Sequence, residues 1–163
     1  MAMFEFLEIK NYAEYNPLLV AENTPFTQAW FYGEWQEMTG RKVRRFEVKR
    51  DFKIIGFFQI IKYPLLFSQS FLYIPHAPVL RSFSVQPSQP KLLRRSRQGG
   101  APPSNFLKEF HKKLTDIAKE ENSVFVRFDL YFHNWNYGSK EGFIKYFKKV
   151  PIYAYHSSYF QPK

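Results

Sequence analysis

Asp129 is the acid whose setting points to chemistry. It closes the run Val124–Asp129, in which Val124, Val126 and Phe128 alternate with Phe125, Arg127 and Asp129, the period of a strand with one buried face. A carboxylate at the C-terminal end of a strand stands where sheets with parallel neighbours place ligand chemistry. There it can orient or deprotonate a substrate amine, or equally pair with Arg127 or cap a helix, and the residue types leave both readings open. His76, in a loop fixed by Pro75 and Pro78, is the histidine best suited to a role. His111 lies among lysines on a helical run and reads as a surface side chain. His76, His111, His133 and His156 lack the spacing of a metal site on one helix or hairpin.

Other chemistries are excluded by what the chain lacks. With no cysteine there is no thiolate nucleophile, disulfide framework or cysteine-bound zinc. No serine lies in a Gly-x-Ser-x-Gly elbow. No Gly-x-Gly turn opens onto a helix, so a self-contained coenzyme A site lacks its cradle of backbone amides for the pyrophosphate.

The elements that must position these residues follow from periodicity and punctuation. Phe4–Ile9 reads as a strand, and Asn11 caps a short helix running to about Glu22. Gln28–Met38 reads as a helix with Thr27 as N-cap and Gly40 as stop, its Trp30, Phe31, Trp35 and Met38 at core spacing. Tyr32 and the two tryptophans fit packing better than base stacking. Lys42–Lys49 and Phe52–Lys62 form an antiparallel hairpin, and Gln69–Ile74 a further strand. Arg81–Ser104 is rich in proline, glycine and arginine and reads as a basic, mobile loop. From Asn105, Phe106, Leu107, Phe110, Leu114, Ile117 and Ala118 form one helical face, with Ser104 as cap. After Val124–Asp129 come an amphipathic helix, Glu141–Lys149, and a last β segment, Ile152–Phe160. This order predicts an α+β domain: a mixed β-sheet flanked by helices.

Its 163 residues suit a single domain with a sizeable core, and a content of 45% hydrophobic and 20% aromatic residues excludes disorder as its general state. No stretch approaches the length of a membrane span, and the first ten residues lack the pattern of a signal peptide. A cytoplasmic location is expected. The net charge of +10 draws the chain toward polyanions: RNA, an anionic membrane face or a phosphate-bearing substrate.

Three segments together resemble the N-terminal half of the FemABX family of peptidoglycan-bridge aminoacyltransferases. The first runs from Thr27-Gln28-Ala29-Trp30 through Gly33-Glu34-Trp35-Gln36 to Gly40-Arg41-Lys42-Val43. The second is Tyr73-Ile74-Pro75-His76-Ala77-Pro78-Val79-Leu80, with Ala77 where the family usually has glycine, and the third is Val126-Arg127-Phe128-Asp129. Gln161-Pro162-Lys163 is similar to the segment that leads toward the family's second domain. The resemblance implies a GNAT-like first acyltransferase domain over 1–163, with 81–104 as an insertion and the second domain missing. It also implies transfer of an amino acid from aminoacyl-tRNA, as co-substrate and without a bound cofactor, to the stem peptide of a UDP-linked or lipid-linked muramyl precursor.

By that resemblance Asp129 lies near the acceptor amine, and Tyr73, His76 and Arg127 belong to the precursor pocket. Gln36 stands where some relatives place a lysine against the precursor's phosphates, a charge that Arg41 or Lys42 can supply instead. The rest of the site would come from a second acyltransferase-like domain or partner chain, so this chain alone is expected to be incomplete, and it would work at or near the inner membrane face. A basic module that only tethers RNA or an anionic membrane surface is the competing reading. Little of Lys91–Arg97 is expected to be buried. Its deletion should leave the melting temperature unchanged by calorimetry, and a fall of several degrees would show packed structure.

Overall fold

The computed structural model describes residues 3–15, 24–80 and 104–129. Six strands form one sheet: β1 (Phe4–Ile9), β2 (Lys42–Arg50), β3 (Lys53–Pro64), β4 (Ser70–Ile74), β5 (Val79–Leu80) and β6 (Ser123–Phe128). Their order is β1-β2-β3-β4-β6, with β5 beside β3. All pairs are antiparallel except β4 and β6, which are parallel. Among the described residues the helices longer than a single turn are α1 (Trp30–Met38) and α2 (Ser104–Glu120), and a 3-10 turn at Phe26–Gln28 precedes α1. This is the expected α+β domain, with strand ends within two residues of those read from periodicity except for β5, which was not read from the sequence. The helix expected at Glu141–Lys149, the β segment at Ile152–Phe160 and the basic segment before Ser104 lie outside the described residues. So does the part of the Asn11–Glu22 helix beyond residue 15. Asn11 caps the turn that is described: its Oδ1 accepts from the Glu14 amide at 2.9 Å.

Alternation along the strands gives the sheet two unlike faces. One is apolar: Phe46, Val48, Phe58, Ile60, Leu72, Ile74, Val126 and Phe128 meet Phe106, Leu107, Phe110, Leu114 and Ile117 of α2. Phe46 stacks on Phe58 at 5.1 Å and Phe110 meets Phe58 edge-on at 5.2 Å, both favourable ring geometries. The open end of this face is closed by charge. Glu121 binds Lys42 at 2.6 Å and Lys62 at 3.3 Å. Burial alone would raise the Glu121 carboxyl, but the hydrogen bonds from Lys42 and Lys62 outweigh it and hold the group below its usual range.

The other face carries Arg45 and Gln59 beneath α1, and here the helix departs from its apolar spacing. Trp35 and Met38 are 54% and 85% exposed, whereas Gly33 and Gln36 are buried. Close approach explains the rotation: a Cβ on Gly33 would lie 2.2 Å from Arg45 Nη2 and 2.7 Å from Gln59 Oε1. Only glycine lets α1 lie against this polar surface. Arg45 is held over the Trp30 ring at 3.9 Å and reaches Glu37 at 3.3 Å. Thr27 is not the N-cap. Ala29 takes that position without a side-chain bond, because Thr27 and Gln28 are drawn into the 3-10 turn and turned toward the sheet. Gly40, at φ +81°, ends the helix as expected.

Gln28 fills a break in the sheet. On one side of β3, β5 pairs with Gly56 and Phe57 and β4 with Ile61–Pro64, which leaves residues 58–60 without a strand partner there. The Gln59 amide donates instead to Gln28 Oε1 at 2.9 Å, and Gln28 Nε2 donates to the Pro75 carbonyl just past β4. A side-chain amide thus stands in for a peptide unit of the ladder, and both glutamines are fully buried. Gln28→Ala strands one backbone donor and one acceptor, at about 1–3 kcal/mol each. Urea unfolding should therefore show a loss of about 2–5 kcal/mol, and a loss below about 1 kcal/mol would show that the break closes by other means.

Candidate functional site

The site forms where β4 and β6 end side by side. Their parallel register matches Tyr73 with Arg127 and Ile74 with Phe128, so Asp129 is the first residue past the paired strands. Its amide donates to the Ile74 carbonyl at 3.0 Å, and its carbonyl accepts from the Ala77 amide at 2.9 Å. The Pro75–Pro78 turn is thereby tied to the end of β6. The Asp129 side chain is 3% exposed; the Tyr73 hydroxyl donates to its Oδ2, and Arg127 Nη2 lies 3.9 Å from its Oδ1. Of the two readings of Asp129 left open by its residue type, the contact with Arg127 is present, on a carboxylate that is buried beside a phenol.

His76 sits in the turn with a left-handed backbone, φ 47°, which a non-glycine residue adopts only when its surroundings enforce it. Two anchors do so: Pro75 is held by Gln28, and His76 Nδ1 lies 2.8 Å from Thr27 Oγ1. Burial pushes the imidazole below its ordinary value of 6.5, and the nearby Asp129 charge only partly offsets this. His76 is accordingly neutral near pH 7, able to accept a proton or a hydrogen bond.

The same face continues toward α1 as a row of rings. Tyr63 stacks on Phe71 at 5.1 Å and Phe71 on Phe125 at 4.9 Å, while Tyr73 meets Tyr63 edge-on at 6.0 Å. Two guanidinium groups border the row, Arg127 at 5.3 Å from the Tyr73 ring and Arg41 at 4.4 Å from the Tyr63 ring. Gln36 is buried; its Oε1 accepts from Arg41 Nη1 at 2.7 Å and from the Tyr63 hydroxyl at 3.2 Å. It positions Arg41.

Of the residues singled out by sequence, Asp129, Tyr73, His76, Arg127, Gln36 and Arg41 thus share one face. Lys42 does not join them, since β-alternation turns it to the opposite face and onto Glu121. Sequence reasoning missed Thr27, Gln28, Gln59 and Tyr63 as parts of the site. The available signal was Gln59 itself, a polar residue inside the apolar run Phe57-Phe58-Gln59-Ile60-Ile61, because a buried amide needs partners. Among the described residues no group of three His, Asp or Glu could hold a metal, and no helix is long and apolar enough to cross a membrane.

The architecture, a mixed sheet with a parallel β4/β6 pair, is the GNAT-like α+β fold. The crystal structure of FemX superposes with a TM-score of 0.54 at 19% identity, covering 77% of this chain and 27% of FemX. The ribosomal-protein-alanine N-acetyltransferase from Brucella melitensis biovar Abortus 2308 matches with a TM-score of 0.51 at 16% identity, over 100% of both chains. An acetyltransferase of Trypanosoma brucei matches with a TM-score of 0.53 at 12% identity, over 99% of this chain and 100% of that one. At these identities the likeness is one of fold, and the chain spans about a quarter of the length of FemX. No family model and no curated protein sequence matches the chain.

Because the folded His76 value lies below the unfolded one, the unfolded chain takes up this proton first as pH falls. The contribution of His76 to stability is therefore intact above about pH 6.5 and is lost as pH drops through the folded value. In an NMR titration its midpoint should lie below 6.5 and move lower still in Asp129→Asn, which removes the charge that raises it. An unchanged midpoint would show that Asp129 does not act on His76.

Proposed function

We propose that this chain is an aminoacyltransferase domain of peptidoglycan bridge synthesis, which helps transfer an amino acid from aminoacyl-tRNA to the stem peptide of a cell-wall precursor. The observation that carries the reading is convergence. The three segments that resemble FemABX proteins lie far apart in sequence, yet they meet in one hydrogen-bonded unit: Thr27 and Gln28 on His76 and Pro75, and Ala77 on Asp129. The fold shared with FemX is consistent with this reading.

In this reading the acceptor amine attacks the ester carbonyl of the aminoacyl-tRNA. A C–N bond forms, the C–O ester bond breaks, and the ribose hydroxyl leaves with a proton. The Asp129 carboxylate takes the amine's proton, and the Tyr73 hydroxyl fixes the orientation of that carboxylate. Neutral His76 offers a second acceptor beside the same point. Arg41 and Arg127, which border the row of rings, are the cations for the precursor's phosphates, with Gln36 holding Arg41 in place. No covalent enzyme intermediate is needed, so the rate rests on placing the amine and accepting its proton. A second domain or partner chain supplies the contacts to the tRNA end.

The test is calorimetry of the chain with a UDP-linked muramyl pentapeptide at two salt concentrations, beside UDP and acetyl-coenzyme A. The reading expects saturable binding that needs the peptide, survives moderate salt and weakens about tenfold or more in Arg41→Ala, the loss of one charge-assisted contact. Binding lost with salt and served equally by any polyanion makes the chain a tethering module. Preference for acetyl-coenzyme A makes it an acetyltransferase. In the protein supplied with its second domain, Asp129→Asn should lower turnover about a hundredfold or more with its circular dichroism unchanged.

A further inference from the structure

The turn between β3 and β4 exposes three consecutive apolar side chains. Leu65, Leu66 and Phe67 are 39%, 79% and 92% exposed. The turn is ordered by backbone hydrogen bonds from the Leu65 amide to Gln69 at 2.8 Å and from the Gln69 amide to Leu66 at 3.3 Å. Phe67 and Ser68 are left-handed, at φ 57° and 59°, a conformation that glycine or asparagine takes more readily than any aromatic residue. A phenylalanine that strains its own turn and is this exposed adds little to the packing of the described residues.

The flanks of the turn are cationic. Lys62 precedes it on β3, Lys42 is the cross-strand neighbour of Lys62, and Arg41 comes before Lys42. Met38, also exposed, ends α1 at this same end of the sheet. The nearby acids are already matched: Glu121 is buried against Lys42 and Lys62, and Glu120 binds Arg44 at 2.7 Å. A projecting apolar tip flanked by Lys42 and Lys62, two cations that share the single carboxylate of Glu121, on a chain of net charge +10, is complementary to lipid with anionic headgroups.

We propose that Leu65–Phe67 enters the interfacial layer of an anionic bilayer, with Lys42 and Lys62 over the headgroups. The tip precedes β4 and the Pro75–Pro78 turn follows it, so the docking element and the candidate site occupy opposite ends of one strand. The inference stands independently of the acyl-transfer reading.

The β2–β3 turn provides an internal control, because Phe52 there is 80% exposed and left-handed but stands alone beside charged Arg50 and Asp51. The chain has no cysteine, so Phe67→Cys and Phe52→Cys can each be labelled with an environment-sensitive fluorophore in the full chain. The labelled variants are titrated with vesicles of phosphatidylcholine, with and without about 30% phosphatidylglycerol. Docking predicts a blue shift at position 67 on anionic vesicles only, and none at position 52. It also predicts that the unlabelled double variant Leu66→Asn/Phe67→Asn co-sediments about tenfold less with those vesicles, its melting temperature unchanged. An absent shift overturns the proposal, as does co-sedimentation that ignores the double variant and vanishes with salt. A shift that grows with protein concentration without vesicles also overturns it, assigning the tip to a contact between copies of the chain.

Discussion

A single side-chain amide fixes the geometry on which the candidate site depends. Gln28 spans from the Gln59 amide to the Pro75 carbonyl and completes a ladder that β4 and β5 leave broken. The break is what frees the Pro75–Pro78 turn from strand pairing. Once free, the turn can place His76 against Thr27 and offer the Ala77 amide to Asp129. A continuous strand would bury those groups in an ordinary ladder, and an unfilled break would leave buried backbone groups without partners.

The same need for polar satisfaction explains why the two faces of the sheet differ. Beneath α2 the phenylalanines pack as a dry core, which supplies most of the apolar burial. Beneath α1 the sheet carries Arg45 and Gln59, and a helix can cover them only by bringing Gly33 close. The apolar side of α1 is consequently turned outward. Of what reads as a core stripe in the sequence, Phe31, Trp35 and Met38 are surface and only Trp30 packs inward, while the buried side chain of that helix is Gln36, which serves Arg41 and Tyr63.

Much of the fold was legible because the signals are local. The alternation of Val124 to Asp129, the apolar stripe of Phe106 to Ile117 and the left-handed Gly40 each act within a few residues, and each leads to the element observed. The site was legible only in part. Asp129, Tyr73, His76 and Arg127 were visible as strand-end residues, but Gln28 and Gln59 appeared as a helix start and an odd polar residue in an apolar strand. Their partners lie about thirty to fifty positions away, beyond the reach of any periodicity.

Hydrophobic period and turn residues, which act at short range, were enough for the longer described strands and helices, the mixed sheet and the residue types able to do chemistry, but not for β5. Tertiary structure decided which of those residues share a face. It sent Lys42 to Glu121 and Arg41 to Tyr63, neighbours in sequence parted by the pleat of one strand. It also turned Thr27 from a helix cap into the partner of His76. Such choices depend on which strands pair and where pairing stops, and those are properties of the whole sheet.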